Sequence, residues 1–116
     1  MQRKGSYPPP PGVTDVLGLE CLGRVVIGGT PGSEESEQLS EYRVIALLPG
    51  GGYAKYVKVE KSHTLKVPED YGTEQAASLM EVWCTAYQIL FKVAHLQSGE
   101  TVLVHAAASG VGTAML

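Results

Sequence analysis

The residues whose types and order carry the clearest chemistry run from Val102 to Thr113, Val-Leu-Val-His-Ala-Ala-Ala-Ser-Gly-Val-Gly-Thr. A short apolar run, Thr101 to Val104, leads straight into a turn of small residues that holds Gly110 and Gly112. Glycines in such a turn let the backbone come close to a phosphate, and N–H groups at the start of a following helix offer partial positive charge without a cation. The chemistry this suits is holding a dinucleotide pyrophosphate, with Ser109 Oγ and the amides of Gly110, Val111 and Gly112 as donors. Ala107 and Ser109 stand where a G-x-G-x-x-G pattern has its first two glycines. Taken alone, Gly110 and Gly112 therefore also suit an ordinary structural turn.

No second constellation competes with this one. His63, His95 and His105 form no ligand spacing with Cys21 or Cys84, and we expect no metal. The two cysteines lie far apart in sequence and are read as two buried, reduced thiols of a cytoplasmic protein. No nucleophile or acid–base triad is visible, so no catalytic residue is assigned.

A phosphate turn must be delivered by a strand and followed by a helix, and the chain before it supplies the rest of the framework. Pro8-Pro-Pro-Pro11-Gly12 is an extended segment that cannot enter a sheet interior. Alternation predicts a strand over Leu19–Ile27, a break at Gly28–Gly32, a second strand over Tyr42–Leu48 and a third over Tyr53–Val59. Ser33 to Glu41 is rich in glutamate and predicts a surface loop. Leu65 to Pro68 reads as a short edge strand closed by its proline. From residue 70 the character becomes helical: Thr73 is a candidate N-cap with Glu74 behind it. Val82, Trp83, Ala86, Tyr87, Leu90, Val93 and Ala94 then recur at helical spacing as one apolar stripe. The order is a β-rich part, a helical linker, and the first strand and turn of a Rossmann-type α/β unit.

Composition narrows the classes. A formal net charge of -3 gives no basic footprint for nucleic acid. No apolar run approaches the roughly 18 residues that cross a bilayer, and the basic start lacks the apolar core of a signal peptide.

Several stretches together resemble the zinc-free quinone oxidoreductases of the medium-chain dehydrogenase/reductase superfamily, most of all the tumour-suppressor-induced, NADPH-dependent branch of animals. They are Met1-Gln-Arg-Lys-Gly-Ser-Tyr-Pro-Pro-Pro-Pro-Gly12, Leu17-Gly-Leu-Glu20, Ala46-Leu-Leu-Pro-Gly-Gly-Gly52, Thr85-Ala-Tyr-Gln88 and His105-Ala-Ala-Ala-Ser-Gly-Val-Gly-Thr113. The resemblance implies an α/β chain: an incomplete GroES-like β-barrel substrate domain over residues 1–80, then a linker helix and the start of a Rossmann NADPH-binding domain over 81–116. It implies further chain on both sides of what is present, and homodimers among full-length members. It places Tyr7 and Thr85 near the nicotinamide; the residues alone equally allow Tyr7 to anchor a proline-rich loop and Thr85 to bond back to its own helix. Zinc-dependent members carry a Gly-His-Glu triplet where this chain has Gly18-Leu19-Glu20, and leucine cannot bind zinc.

The implied reaction is NADPH-dependent hydride transfer to a quinone or enone. Such acceptors are already electrophilic and need alignment and a dry cleft more than a Lewis acid. An enoyl reductase of the same superfamily is the alternative enzyme, and a non-catalytic truncated isoform the alternative from outside enzymology. The residues as they stand are expected neither to bind NADPH tightly nor to turn over. A β-rich binding module working through the Glu-rich loop is the remaining reading.

Overall fold

The computed structural model describes residues 2–28 and 38–116. The chain divides into two compact units, Met1–Ser78 and Leu79–Leu116, and each is described by itself.

The first unit is built on an antiparallel sheet of β1 (Glu20–Gly28), β2 (Gln38–Leu47) and β3 (Thr64–Val67), in that order. Glu20 pairs with Leu47 and Arg24 with Arg43 across β1 and β2, while Arg43 pairs with Val67 and Ala46 with Thr64 across β2 and β3. Ile45, Ala46, Leu48 and Val67 form the buried apolar centre, so the central strand carries the core. A short helix, α1 (Thr73–Ala77), packs on β1 and buries Ala76 completely. The expected edge strand before Pro68 is β3, and the proline ends it, since a ring nitrogen cannot donate to a ladder.

Three sequence expectations shift here. β2 begins at Gln38, so the acidic stretch is strand rather than loop from that residue on. The remainder of that stretch, the Gly28–Gly32 break beyond Gly28, and with them most of the segment on which the Glu-rich binding module rests, lie outside the described residues. Gly72, not Thr73, precedes α1; Thr73 is its first helical residue. The third strand expected at Tyr53–Val59 makes no ladder. Both neighbours of β2 are already taken by β1 and β3, and the Tyr53 amide donates instead to Leu17 O at 2.8 Å.

That bond belongs to a glycine clasp. Leu48 N donates to Leu19 O at 2.7 Å, Gly51 N to Val16 O at 2.8 Å and Gly52 N to Gly18 O at 3.0 Å. Gly18 has φ +102°, and a Cβ there would lie 2.7 Å from Gly52 Cα. Only glycine allows two backbones to meet so closely in that conformation. Leu17-Gly-Leu-Glu20 and Pro49-Gly-Gly-Gly52 are thus two halves of one structural contact.

The second unit holds α2 (Met80–Tyr87), a π-helical segment over Gln88–Val93, and α3 (Gly110–Met115). α2 packs against α3. The apolar stripe expected from Val82 to Ala94 is not buried as a stripe. Met80 and Ala86 are buried, whereas Trp83, Tyr87, Phe91 and Val93 are exposed. The π segment closes i→i+5 bonds, as in Ala94 N to Ile89 O at 2.9 Å. Its wider turn moves every later side chain out of the 3.6-residue phase.

Candidate functional site

The turn expected to hold phosphate is assembled from its own backbone. Ala106 sits at φ +52° and turns its carbonyl to accept from Ser109 N at 2.8 Å. Ser109 then caps α3: its Oγ accepts from Gly112 N at 3.1 Å and its carbonyl from Thr113 N at 2.8 Å. This is the N-cap geometry that serine favours, with an extended backbone and a side chain that satisfies an orphan amide of the first turn. Gly112 is buried against residues 106–107: a Cβ on it would lie 2.7 Å from Ala107 Cα and 2.8 Å from Ala107 C. Gly110 is less constrained, its added Cβ meeting only Val82 Cγ1 at 3.1 Å.

The four turn residues expected to hold phosphate therefore divide. Ser109 Oγ and the Gly112 amide are bonded to each other, so Gly112 offers close approach and no free donor. The amides of Gly110 and Val111 find no acceptor among the described residues. Two unspent donors at an exposed turn, with a serine hydroxyl between strand side and helix start, fit the anionic oxygens of a pyrophosphate. Thr101–Val104, read as the delivering strand, makes no ladder among the described residues. A parallel strand takes its partner from beyond a crossover, and none of the described segments plays that part.

Thr85 lies in α2 of the same unit, half-buried, with its hydroxyl donating to Glu81 O at 2.8 Å. That is the back-bonded arrangement, in which its proton is used within the helix. Tyr7 belongs to the first unit, is 56% exposed and makes no hydrogen bond among the described residues. The structure thus brings Ser109, Gly110, Val111 and Gly112 together, sets Thr85 in the same unit, and carries Tyr7 in the other.

The first unit also holds a groove of about 1140 Å³ over the sheet, floored by Cys21, Val26, Val44 and Ala46 and edged by Lys55 and Lys58. None of the candidate site residues lines it. Cys21 is half-buried and has its thiol pKa raised, first by burial and then by the charge of Glu20, which favours the protonated form; Cys84, expected to be buried, is exposed on its helix. Among the described residues no three His, Cys, Asp or Glu side chains are grouped to hold a metal. No helix among them is long and apolar enough to cross a membrane.

No family model matches the chain. It is 38% identical over 114 residues to the synaptic vesicle membrane protein VAT-1 homolog of Danio rerio, spanning 98% of this chain and 23% of that protein. It is 41% identical over 101 residues to squalestatin tetraketide synthase clz2 of Cochliobolus lunatus, 87% of this chain and 4% of that one. The chain thus spans less than a quarter of each of these relatives. Among solved structures, the human synaptic vesicle membrane protein VAT-1 homolog-like protein matches with TM-score 0.76 and 34% identity over 99% of this chain and 36% of its own. The quinone oxidoreductase from Thermus thermophilus, solved also with NADPH, matches with TM-score 0.60 and 30% identity over 95% of this chain and 43% of its own. JamJ enoyl reductase matches with TM-score 0.69 and 28% identity over 85% and 29%. The fold is therefore the one these solved structures share: part of a GroES-like β domain, then helices and the opening of a Rossmann unit.

Proposed function

We propose that this chain is a segment of a medium-chain oxidoreductase that moves hydride from NADPH to a quinone or another conjugated carbonyl acceptor, without zinc. The observation that carries the proposal is the pair of amides at Gly110 and Val111 that find no acceptor among the described residues, set in a chain 30% identical to a quinone oxidoreductase solved with NADPH. In this reading the residues over 1–80 are the GroES-like substrate part and those over 81–116 open the cofactor domain. The amides of Gly110 and Val111 hold the pyrophosphate with Ser109. Gly112 keeps the turn tight enough for that approach, and Tyr7 and Thr85 border the nicotinamide end. The bound cofactor supplies the hydride. The leucine of Gly18-Leu19-Glu20 supports a zinc-free reaction, because it removes a ligand position. The motif stretches alone support the tumour-suppressor-induced branch. The protein is read as cytoplasmic and, at full length, homodimeric.

The test is oxidation of NADPH by the protein as isolated from its source, with a simple quinone as acceptor. Steady turnover is expected there, while the 116 residues alone are expected to show neither turnover nor micromolar NADPH binding. A source protein that consumes no NADPH with any quinone or enone would overturn the reading. The likeness to JamJ enoyl reductase favours one second reading, an enoyl reductase. A preference for an unsaturated acyl thioester over quinones in the same assay would select it.

A further inference from the structure

We infer that Val82, on α2, is a positioning residue for the proposed cofactor turn: it fills the space beside Gly110, and position 110 is glycine because Val82 stands there. This assignment rests on the NADPH reading of the turn. Both residues belong to the second unit, in which α2 packs against α3. Val82 is half-buried. A Cβ added to Gly110 would lie 3.1 Å from Val82 Cγ1 and, outside its own helix and chain neighbours, would meet no other described atom within 4 Å.

Backbone conformation does not ask for glycine here. Gly110 is not among the glycines with positive φ, alanine is the better helix former, and an alanine amide donates as a glycine amide does. Two reasons for glycine remain, room for an approaching phosphate and room for Val82. The second is already written in the packing without any ligand. A β-branched side chain in a helix has one strongly preferred χ1 rotamer, so Val82 cannot simply swing aside to admit a Cβ. Gly112 is different in kind, because its added Cβ would meet the backbone of Ala107 at 2.7 Å, and no change at Val82 removes that.

The contact falls where it can govern binding. α3 begins at Gly110, so a side chain seated against that residue sets where the amides of Gly110 and Val111 lie relative to α2. Thr85 and Ala86 follow Val82 by three and four residues and share its face of the helix, and Ala86 is buried. Val82 thereby joins the pyrophosphate end of the proposed site to the helix that carries Thr85 at the nicotinamide end.

The experiment measures NADPH affinity by fluorescence titration of the source protein at full length and of its Val82→Ala, Gly110→Ala and doubly substituted forms. Val82→Ala should weaken binding about threefold and Gly110→Ala about tenfold. The double variant should bind within about twofold of Val82→Ala, since a Cβ at position 110 then has room. That last comparison stands even where Gly110→Ala alone does not fold. Val82→Ala introduces a better helix former at a half-buried position, and its circular dichroism should match the parent. Gly112→Ala should lose the same factor with and without the Val82 methyl groups. Parent affinity in Val82→Ala overturns the assignment, as does a cost at position 110 that is equal in both backgrounds or a double variant that does not fold. Rescue of Gly112→Ala overturns it too, because it would show general loosening in place of a specific contact. A parent protein that binds no NADPH overturns the reading of the site and this assignment with it, whereas a parent that binds while the pair stays uncoupled overturns the role of Val82 alone.

Discussion

Gly112 is where one hydrogen atom in place of a methyl group decides the geometry of the candidate site. Its Cα faces the backbone of residues 106–107, and a Cβ would fall 2.7 Å from Ala107 Cα. Neither side can retreat easily: Ala106 is already held at φ +52°, an uncommon conformation for a residue with a side chain, and Ser109 ties α3 to the turn through Gly112 N. Gly112→Ala is expected to lose about 1–3 kcal/mol from the overpacked contact. Faster hydrogen exchange over residues 106–113, with the sheet of the first unit unchanged, is the measurement that checks it. Exchange rates equal to the parent's would mean the turn yields freely. The sequence showed both glycines and their strand-to-helix setting; it could not show that Gly112 serves packing while Gly110 and Val111 keep the free amides. That division depends on which carbonyl the turn brings back, and Ala106 carries no sign of it in its side chain.

Among the elements, β1 and β2 are joined across an irregular stretch. Arg24 pairs with Arg43 and Val26 with Leu39, so three residues of β2 face the single Val25. Such a bulge leaves ladder groups without partners, and Ser40, buried with 2% exposure, supplies them. Its Oγ accepts from Val25 N at 2.9 Å and donates to Tyr42 O at 2.7 Å. Arg24 adds bonds to Ser40 O, at 3.0 Å, and to Glu41 O. Ser40→Ala leaves the part-buried Val25 N without its acceptor and takes a donor from Tyr42 O, a loss of about 1–3 kcal/mol. A lowered midpoint in urea with an unchanged slope should report it; an unchanged midpoint would show that water reaches Val25 N. Alternation made β1 and most of β2 legible, since a half-buried strand writes itself with period two. The start of β2 at Gln38 was hidden because a bulge breaks that period. The clasp of Gly18 with Gly52 was hidden because backbone pairing leaves only glycines behind, and those also mark plain turns. Arg43 was equally silent. Its guanidinium binds Pro68 O at 2.8 Å and Tyr71 O at 2.7 Å and fastens the loop after β3, a task that any surface arginine could have had.

Across the whole molecule, burial is uneven. The first unit centres on Ile45, Ala46, Leu48, Val67 and Ala76, all at 7% exposure or less, whereas in the second only Met80 and Ala86 among the described apolar residues reach that level. There Leu103 is 81% exposed and Trp83, Tyr87 and Val93 are each more than half exposed. Apolar burial stabilises by roughly 25 cal/mol per Å² removed from water, so a unit that leaves these side chains wet gains little from folding alone. Its amides should open through local unfolding well below the global free energy. In hydrogen exchange on the 116-residue chain, protection over β2 should exceed that over α2 and α3 by about tenfold or more, since about 1.4 kcal/mol of opening free energy already gives that factor. Protection of α2 and α3 equal to that of β2 would mean the second unit is stabilised by something other than its own core. The same arithmetic bears on the proposed reaction. The proposed pyrophosphate turn follows a segment with no ladder among the described residues, so binding there must also order that segment, and the ordering free energy is subtracted from affinity. Loss of NADPH binding in the 116 residues alongside turnover in the source protein would then reflect the unladdered state of Thr101–Val104, with the chemistry of Gly110 and Val111 intact.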